Sequence, residues 1–357
     1  MPEQTNDKGL FAVASLALAC NSTFNSLLFS LYGFYTLLVA SITIIFSIAL
    51  LVWSADKFVA GAASLARNFG MSPLLIGLTV VSLGTSAPEI LVSVTAALVG
   101  ASGIAIGNAL GSNIANIGLV LGVTALISPL PIKSALARKE LPILALVTLG
   151  AGLLLLDLNL NRIDAVLLLT GLCVTLYLFA TYHPESSDIK LLEEEEEELP
   201  HLKTRFAIFW FSAGLLLLII SSKALVWAAT GIAEQLGVSD LIIGLTIIAI
   251  GTSLPELAAS VASVLKGHHD IALGNVIGSN IFNLLAVMSI PAAIAPYSVS
   301  TEVLWRDYGV MASLTALLIL FCYFGIFRGR TININRTLGS LFVIIYGAYL
   351  TLLFVQS

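Results

Sequence analysis

The sequence predicts an all-α polytopic membrane protein with ten core transmembrane helices arranged as two inverted five-helix repeats. Three observations carry that prediction. The first is composition: 58% of residues are hydrophobic, only 10% are charged, and the mean hydropathy is +1.01. Soluble domains carry about 25% charged residues, so a soluble protein is excluded. The second is segmentation, because the apolar residues fall into runs of about the ~20 that a helix needs to cross a bilayer. The third is internal similarity. Residues 70–129 align without a gap with residues 237–296, and about half of the paired positions are identical.

Residues 10–31 are apolar but interrupted by Asn21, Ser22, Thr23, Asn25 and Ser26. They lack the basic n-region and small-x-small cleavage site of a secretory signal. Residues 1–32 therefore form an N-terminal extension or, by preference, an extra helix. The first repeat, 33–181, is expected to hold helices near 35–55, 72–98, 104–127, 139–157 and 162–181. A polar loop at 182–205 follows. The second repeat, 206–357, holds helices near 206–232, 239–265, 271–295, 304–326 and 336–355. Five crossings is an odd number, so the second half enters the membrane from the opposite side. Two such repeats are related by a pseudo-two-fold axis in the membrane plane, an arrangement found in transporters.

Basic residues set the orientation. If the helix at 35–55 enters from outside, the cytoplasmic loops hold Arg67, Lys133, Arg138, Lys139, Lys190, Lys203, Arg205, Lys266, Arg328, Arg330 and Arg336. The external loops then hold only Arg162 and Arg306. Lys8 joins the cytoplasmic side if residues 10–31 span. The chain is expected in the cell (inner or plasma) membrane, multi-pass, with its central acidic loop cytoplasmic. The net charge of −5 says little about partners, because six acids form one run, Glu193–Glu198. Such a run reads as a solvated loop, and about 24 residues are too few for a folded regulatory domain. Cys20, Cys173 and Cys322 lie far apart in apolar segments and read as small core residues.

Within this frame, Gly84-Thr85-Ser86-Ala87-Pro88-Glu89 returns as Gly251-Thr252-Ser253-Leu254-Pro255-Glu256. Each copy places a carboxylate at bilayer depth, where a charge is costly and marks a functional site. Each proline removes a donor and displaces the carbonyl four residues back, at Gly84 or Gly251. Freed carbonyls beside Thr, Ser and Glu are the oxygen ligands that hard cations such as Ca²⁺ take. Thr85 and Ser86 lie four and three residues before Glu89, on one helix face, with Ser82 a turn earlier. In the next helix Asn108, Ser112 and Asn116 make a polar stripe. The second half repeats this with Thr252, Ser253 and Glu256, then Asn275, Ser279 and Asn283. Intramembrane polar residues face the protein interior or a water-filled path, so both sets are expected to converge near the midplane.

Some polar positions have a plainer reading. Asn108, Asn113, Asn275 and Asn280 can equally serve to bond neighbouring helices, and Gly107, Gly111, Gly274 and Gly278 form small-xxx-small faces suited to close packing. Lys57 and Lys223 lie nearer helix ends and snorkel. His268, His269 and Asp270 resemble a metal pair but sit in a short loop, which favours a solvated turn. Glu89 and Glu256 have no Lys or Arg partner in sequence at their depth. Two carboxylates balance one Ca²⁺ or are screened by several Na⁺, and an empty ionised site is disfavoured in a low dielectric. That is the logic of an exchanger with alternating access. A channel would use rings of carbonyls or acids in a symmetric oligomer. An intramembrane hydrolase would need a nucleophile–base pair, and no histidine lies in a spanning segment near Ser86 or Ser253.

These motifs resemble those of the sodium/calcium exchanger family, the calcium/cation antiporters, in a prokaryotic, potassium-independent-like form. The family pattern G-T-S-x-P-[ED] followed by G-N-x-x-G-S-N-x-x-[ND] reads here as Gly84–Glu89 with Gly107–Asn116, and Gly251–Glu256 with Gly274–Asn283. The resemblance implies cation positions clustered about Glu89 and Glu256. It implies ligation by Thr85, Ser86, Thr252 and Ser253 through hydroxyl or carbonyl oxygen, and by the hydroxyls of Ser112 and Ser279. Backbone carbonyls of Ser82 and Ala249 join them, with Asn116 and Asn283 lining the middle position. The potassium-dependent branch has aspartate where this chain has Asn283. The implied activity is exchange of Na⁺ for Ca²⁺, with Ca²⁺/H⁺ exchange on the same site as the alternative. The ions are cargo, and no cofactor, no nucleic acid and no obligate protein partner are implied.

Overall fold

The computed structural model describes residues 7–100, 102–132, 134–181, 202–235, 249–327 and 332–356. The acidic run Glu193–Glu198 and the first part of the helix expected at 239–265 lie outside the described residues. Helix α1 runs unbroken from Asp7 to Phe69. It contains no proline, and an isolated glycine such as Gly33 costs a helix only about 1 kcal/mol, so no break falls at residue 33. The helix expected at 35–55 instead continues to Phe69 and ends at Gly70, whose φ of +61° suits glycine. At 63 residues, α1 is roughly 95 Å long at 1.5 Å per residue, and its Leu37–Phe69 part is long and apolar enough to cross a membrane.

The next span is broken. Ser72 caps α2 (Pro73–Ile76) by accepting a hydrogen bond from the Leu75 N–H at 3.2 Å, with Pro73 at the first helical position. A π-helical turn (Gly77–Val81), α3 (Ser82–Thr85) and α4 (Ala87–Leu98) follow, with a bend of 42° between the parts before and after Ser86. Helix α5 (Ser102–Ala115), a π turn (Asn116–Leu121) and α6 (Gly122–Ile127) make the third span. Strand β1 (Leu130–Ile132), α7 (Ser134–Leu155) and β2 (Asn159–Leu160) come next. Helix α8 (Arg162–Ala180) is opened by a capping box between Asn161 and Asp164.

The second half runs through α9 (Thr204–Gln235), α10 (Ala249–Thr252) and α11 (Leu254–Leu265). It continues with α12 (His269–Phe282), a π turn (Asn283–Val287), α13 (Ser289–Ile294) and β3 (Tyr297–Ser298). A π turn (Val303–Tyr308), α14 (Gly309–Phe327), β4 (Ile332–Ile334) and α15 (Arg336–Gln356) complete it. Among the described residues seven helices are long and apolar enough to span, and the bent pair Pro73–Thr85 with Ala87–Leu98 makes an eighth. The two other expected spans correspond to α7 and to the partly described segment ending in α11.

Among the described residues four short strands interrupt the helical pattern. Strand β1 pairs antiparallel with β4, and β2 with β3, so each ribbon joins one half to the other. Strands β1 and β3 follow equivalent helices, as do β2 and β4. Because one crossing, α7, separates β1 from β2, the ribbons lie at opposite ends of the bundle, as inverted halves require. Burial divides the helices into an inner and an outer set. The span His269–Ile294 is 94% buried and Ser102–Ile127 is 72% buried, against 22% for Leu37–Phe69. Ile45, Phe46, Leu146, Leu153, Ile163 and Ile344 stand exposed on the outer helices, the arrangement expected of a surface facing lipid tails.

Candidate functional site

Both motif helices break at the same residue of the repeat. Ser86 has φ −81° and ψ 4°, and Ser253 has φ −89° and ψ 3°, the bridge region that interrupts helical hydrogen bonding. The cause lies two residues on, where Pro88 and Pro255 have no N–H and tolerate only the first turn of a new helix. Each break therefore starts a half-helix, and Glu89 and Glu256 occupy the first turns of α4 and α11. The positive end of a helix dipole favours a carboxylate there. The carbonyl of Gly251, one of those the proline was expected to free, accepts the Ser222 hydroxyl of α9 at 2.6 Å.

The inner helices bring the two motifs face to face. Ser86 Oγ donates to Glu256 Oε1 at 3.2 Å, and Thr85 Oγ1 donates to Asn275 Oδ1 at 3.0 Å. Glu256 stands near enough to Glu89 to act on it electrostatically, and Ser112 is within reach of Glu89, although neither oxygen of Glu89 has a well-aligned donor. Both glutamates are fully enclosed, at 1% and 0% exposure. Their backbones are braced in the same way. Asn108 Nδ2 donates to the Glu89 carbonyl at 3.0 Å and to Ser93 Oγ at 3.1 Å. Asn275 Nδ2 donates to the Glu256 carbonyl at 3.3 Å and to Ser260 Oγ at 2.9 Å.

Ser112, Asn116, Ser253, Ser279 and Asn283 are all buried. Asn116 and Asn283 open the two equivalent π turns, a local distortion frequent at functional sites. The Ser82 carbonyl lies in the motif helix and accepts the Ser86 N–H at 3.0 Å and the Thr85 hydroxyl at 3.4 Å. The Ser82 hydroxyl is turned back to the Leu78 carbonyl at 2.8 Å. Thr252, half-buried, ends α10, and Ala249 opens it.

Buried polar atoms are normally hydrogen-bonded, which makes the exceptions informative. Most of the buried side-chain N and O atoms without a hydrogen-bond partner among the described residues belong to this cluster. They include both oxygens of Glu89, one of Glu256, the hydroxyls of Ser253 and Ser279, and the amides of Asn116 and Asn283. The described ion pairs lie elsewhere, between Lys57 or Lys266 and Asp56 and between Arg306 and Asp307. Among the described residues no group of three His, Cys, Asp or Glu side chains gathers to hold a metal. The arrangement offers a cation two carboxylates with neutral hydroxyl, amide and carbonyl oxygens around them. Oxygen sets of this kind suit Ca²⁺ and other hard cations.

Three further details refine the reading of the residues. Lys57 lies within α1 and not near its end as expected, with its ammonium over the rings of Trp53 and Trp210 and 3.4 Å from the Asp56 carboxylate. Against the expected solvated turn, His269 and Asp270 open α12, with the His269 ring in contact with the Gly267 carbonyl and Ser128 Oγ and with Asp270 buried. Gly274 and Gly278 make close approaches, as a Cβ on Gly274 would stand 2.6 Å from the Leu74 carbonyl oxygen. Among the described residues a Cβ on Gly107 or Gly111 would meet nothing within 4 Å. Ser93, Ser260 and Ser222 are contributors that the motif reading passed over. The first two had a signal in the sequence, because each follows its glutamate by four residues in both repeats.

The family described as "Sodium/calcium exchanger protein" matches residues 39–181 and 206–355. CaxA of Alkalimonas amylolytica is 48% identical over 321 residues, covering 89% of this chain and 99% of that protein. The sodium/calcium exchanger MaX1 of Methanosarcina acetivorans is 32% identical over 350 residues, covering 87% and 97%. Among solved structures, the sodium-calcium exchanger NCX_Mj, from a crystal soaked with 2.5 mM Na⁺ and 0.1 mM Ca²⁺, superposes with a TM-score of 0.75. It is 31% identical, with 88% of this chain and 98% of that chain covered.

Proposed function

The chain belongs to the sodium/calcium exchanger family, whose members are secondary transporters and not enzymes, and on that premise we propose that it exchanges Na⁺ for Ca²⁺ through Glu89 and Glu256. One observation carries the reading. Two enclosed carboxylates from opposite halves meet among oxygen atoms that have no hydrogen-bond partner among the described residues. Such atoms are stabilised by a cation that ligates them, and two negative charges match one Ca²⁺ or are screened by several Na⁺. Ser86, Thr85 and Ser112 supply hydroxyls, Ser253 and Ser279 their equivalents, Ser82 and Ala249 carbonyls, and Thr252, Asn116 and Asn283 the remaining oxygens.

Alternating access follows from the same electrostatics. With both carboxylates ionised and no cation present, the site is penalised in a low dielectric, so the halves rearrange when it is loaded. The two repeats, 33–181 and 206–357, move about the shared site, and the loop at 182–205 joins them on the cytoplasmic side of the cell membrane. With an inward Na⁺ gradient the cycle expels Ca²⁺.

Radiolabelled Ca²⁺ uptake into proteoliposomes loaded with Na⁺ or K⁺, at fixed pH gradients, tests this. Uptake that needs internal Na⁺ and disappears in Glu89→Gln and Glu256→Gln supports it. Uptake that ignores Na⁺ and follows a proton gradient moves the assignment to Ca²⁺/H⁺ exchange on the same carboxylates.

A further inference from the structure

A further buried carboxylate, outside the cation site, has an oxygen without a hydrogen-bond partner among the described residues, and it borders a cavity. Glu140, at the start of the apolar part of α7, is 5% exposed, and its Oε2 has no hydrogen-bond partner among the described residues. The cavity beside it has a volume of about 250 Å³ and is partly open to the surroundings. Ser72, Lys139 and Glu140 supply its polar wall, and Leu75, Ile143 and Phe179 much of its apolar wall. Asp270, itself buried, acts electrostatically on Glu140 from α12. The pocket thus offers one carboxylate, one ammonium, one hydroxyl and a greasy floor.

The internal repeat shows what a satisfied version looks like. Lys139-Glu140 occupies in the first half the place of Arg306-Asp307 in the second. There, Arg306 Nε and Nη2 donate to the two Asp307 oxygens at 2.8 and 3.1 Å, and the Tyr349 hydroxyl donates to Oδ1 at 2.9 Å. That carboxylate is closed off by the protein's own donors. Glu140 leaves an oxygen for a donor from outside.

We infer that this cavity binds the headgroup of a phospholipid bearing a primary ammonium, an ethanolamine lipid. The ammonium donates to Glu140, the phosphate faces Lys139 and Ser72, and the first carbons lie on Leu75, Ile143 and Phe179. Charge complementarity selects this occupant, because a phosphate and an ammonium in one headgroup are the reverse of an adjacent lysine and glutamate. The volume holds a headgroup but not two acyl chains. Those have a path along the lipid-facing side of α8, where Val174, Tyr177 and Leu178 are exposed. A choline headgroup carries the same charge but has no N–H to donate, so it cannot satisfy Oε2. Because Ser72 and Leu75 belong to the motif helix that leads to Glu89, the bound lipid braces that helix.

Native mass spectrometry on the full chain in a non-ionic detergent, with ethanolamine and choline lipids of identical acyl chains titrated side by side, tests the proposal. The wild type retains the ethanolamine lipid roughly tenfold more tightly, the scale of one charge-assisted hydrogen bond. Glu140→Gln brings the two lipids to within about twofold of each other. Leu178→Trp, which fills the cavity and leaves the carboxylate in place, weakens retention of the ethanolamine lipid. Equal retention of both lipids by the wild type overturns the proposal, as does a preference that survives Glu140→Gln. If Glu140→Gln fails to fold, judged by its melting curve, the Leu178→Trp comparison decides, and an unchanged preference there is equally fatal.

Discussion

Glu256 accepts a hydrogen bond from Ser86 of the other half, whereas among the described residues Ser253, which stands where Ser86 does in the repeat, has a hydroxyl without a partner and Glu89 has no aligned donor. The same contrast runs through the supporting helices. Gly274 and Gly278 of α12 approach the backbones of Leu74, Gly77 and Leu78 and the Ser82 side chain, while Gly107 and Gly111 of α5 meet nothing at Cβ distance among the described residues, the equivalents of Leu74 and Leu78 at 241 and 245 lying outside them. Nearly identical residues are thus held in two ways at once. Two inverted halves around one site cannot both be closed if the site is to open to one side. On the proposed function this asymmetry belongs to the conformation and not to the residues, and the halves exchange roles during the cycle.

The contrast can be broken most severely at the carboxylates. Glu89→Gln and Glu256→Gln are each expected to lower Na⁺-driven Ca²⁺ uptake by more than about a hundredfold, the upper range of what even outer-shell partners of a metal site contribute. If only one variant is inactive, the halves are not equivalent over a cycle. Next in size is Gly278→Ala, whose Cβ would press on Ser82 Oγ and stand 2.5 Å from the Leu78 carbonyl oxygen. Overpacking of this kind costs about 1–3 kcal/mol, whereas Gly111→Ala is expected to stay within about 0.5 kcal/mol, both read from melting in detergent. Equal loss of transport by the two would show that Gly111 makes the same close approach at another stage.

Asn108→Ala and Asn275→Ala sharpen the comparison from the other direction. Each asparagine braces a glutamate carbonyl and a serine hydroxyl, so each loss is expected to weaken Ca²⁺ affinity by roughly tenfold. Calorimetric titration that finds one indifferent would remove the shared brace from the argument. The smallest effect is expected for the serines. Ser86→Ala removes a standing bond to Glu256 and Ser253→Ala removes none. In this conformation Ca²⁺ affinity should differ between them by about threefold, a fraction of one hydrogen bond.

Much of this was legible in the sequence, and the reasons are physical. A proline two residues after the break, a glutamate directly behind it, and a repeat of the whole pattern are local signals, so Ser86, Glu89, Ser253 and Glu256 could be placed without coordinates. The bracing serines Ser93 and Ser260 were less visible, because a serine in a spanning helix usually bonds its own preceding turn. The two- and three-residue strands have no periodicity to read and exist only because loops of the two halves meet. Helix α1 passes through Gly33 and polar Asn21–Ser26, since no proline stops it.

The two small ribbons matter once the chain is put under tension. Strand β4 is clasped to β1 and β3 to β2, so the covalent order of the chain is not its mechanical order. Pulling the C-terminal end out of a bilayer would first draw α15, and would then load a clasp whose other jaw belongs to the opposite half. The force would travel to the region of β1 without passing along the backbone through the loop at 182–205. Force spectroscopy would register the halves as one knotted circuit of load, in which neither can be drawn out until a hydrogen-bonded clasp at one face has been opened.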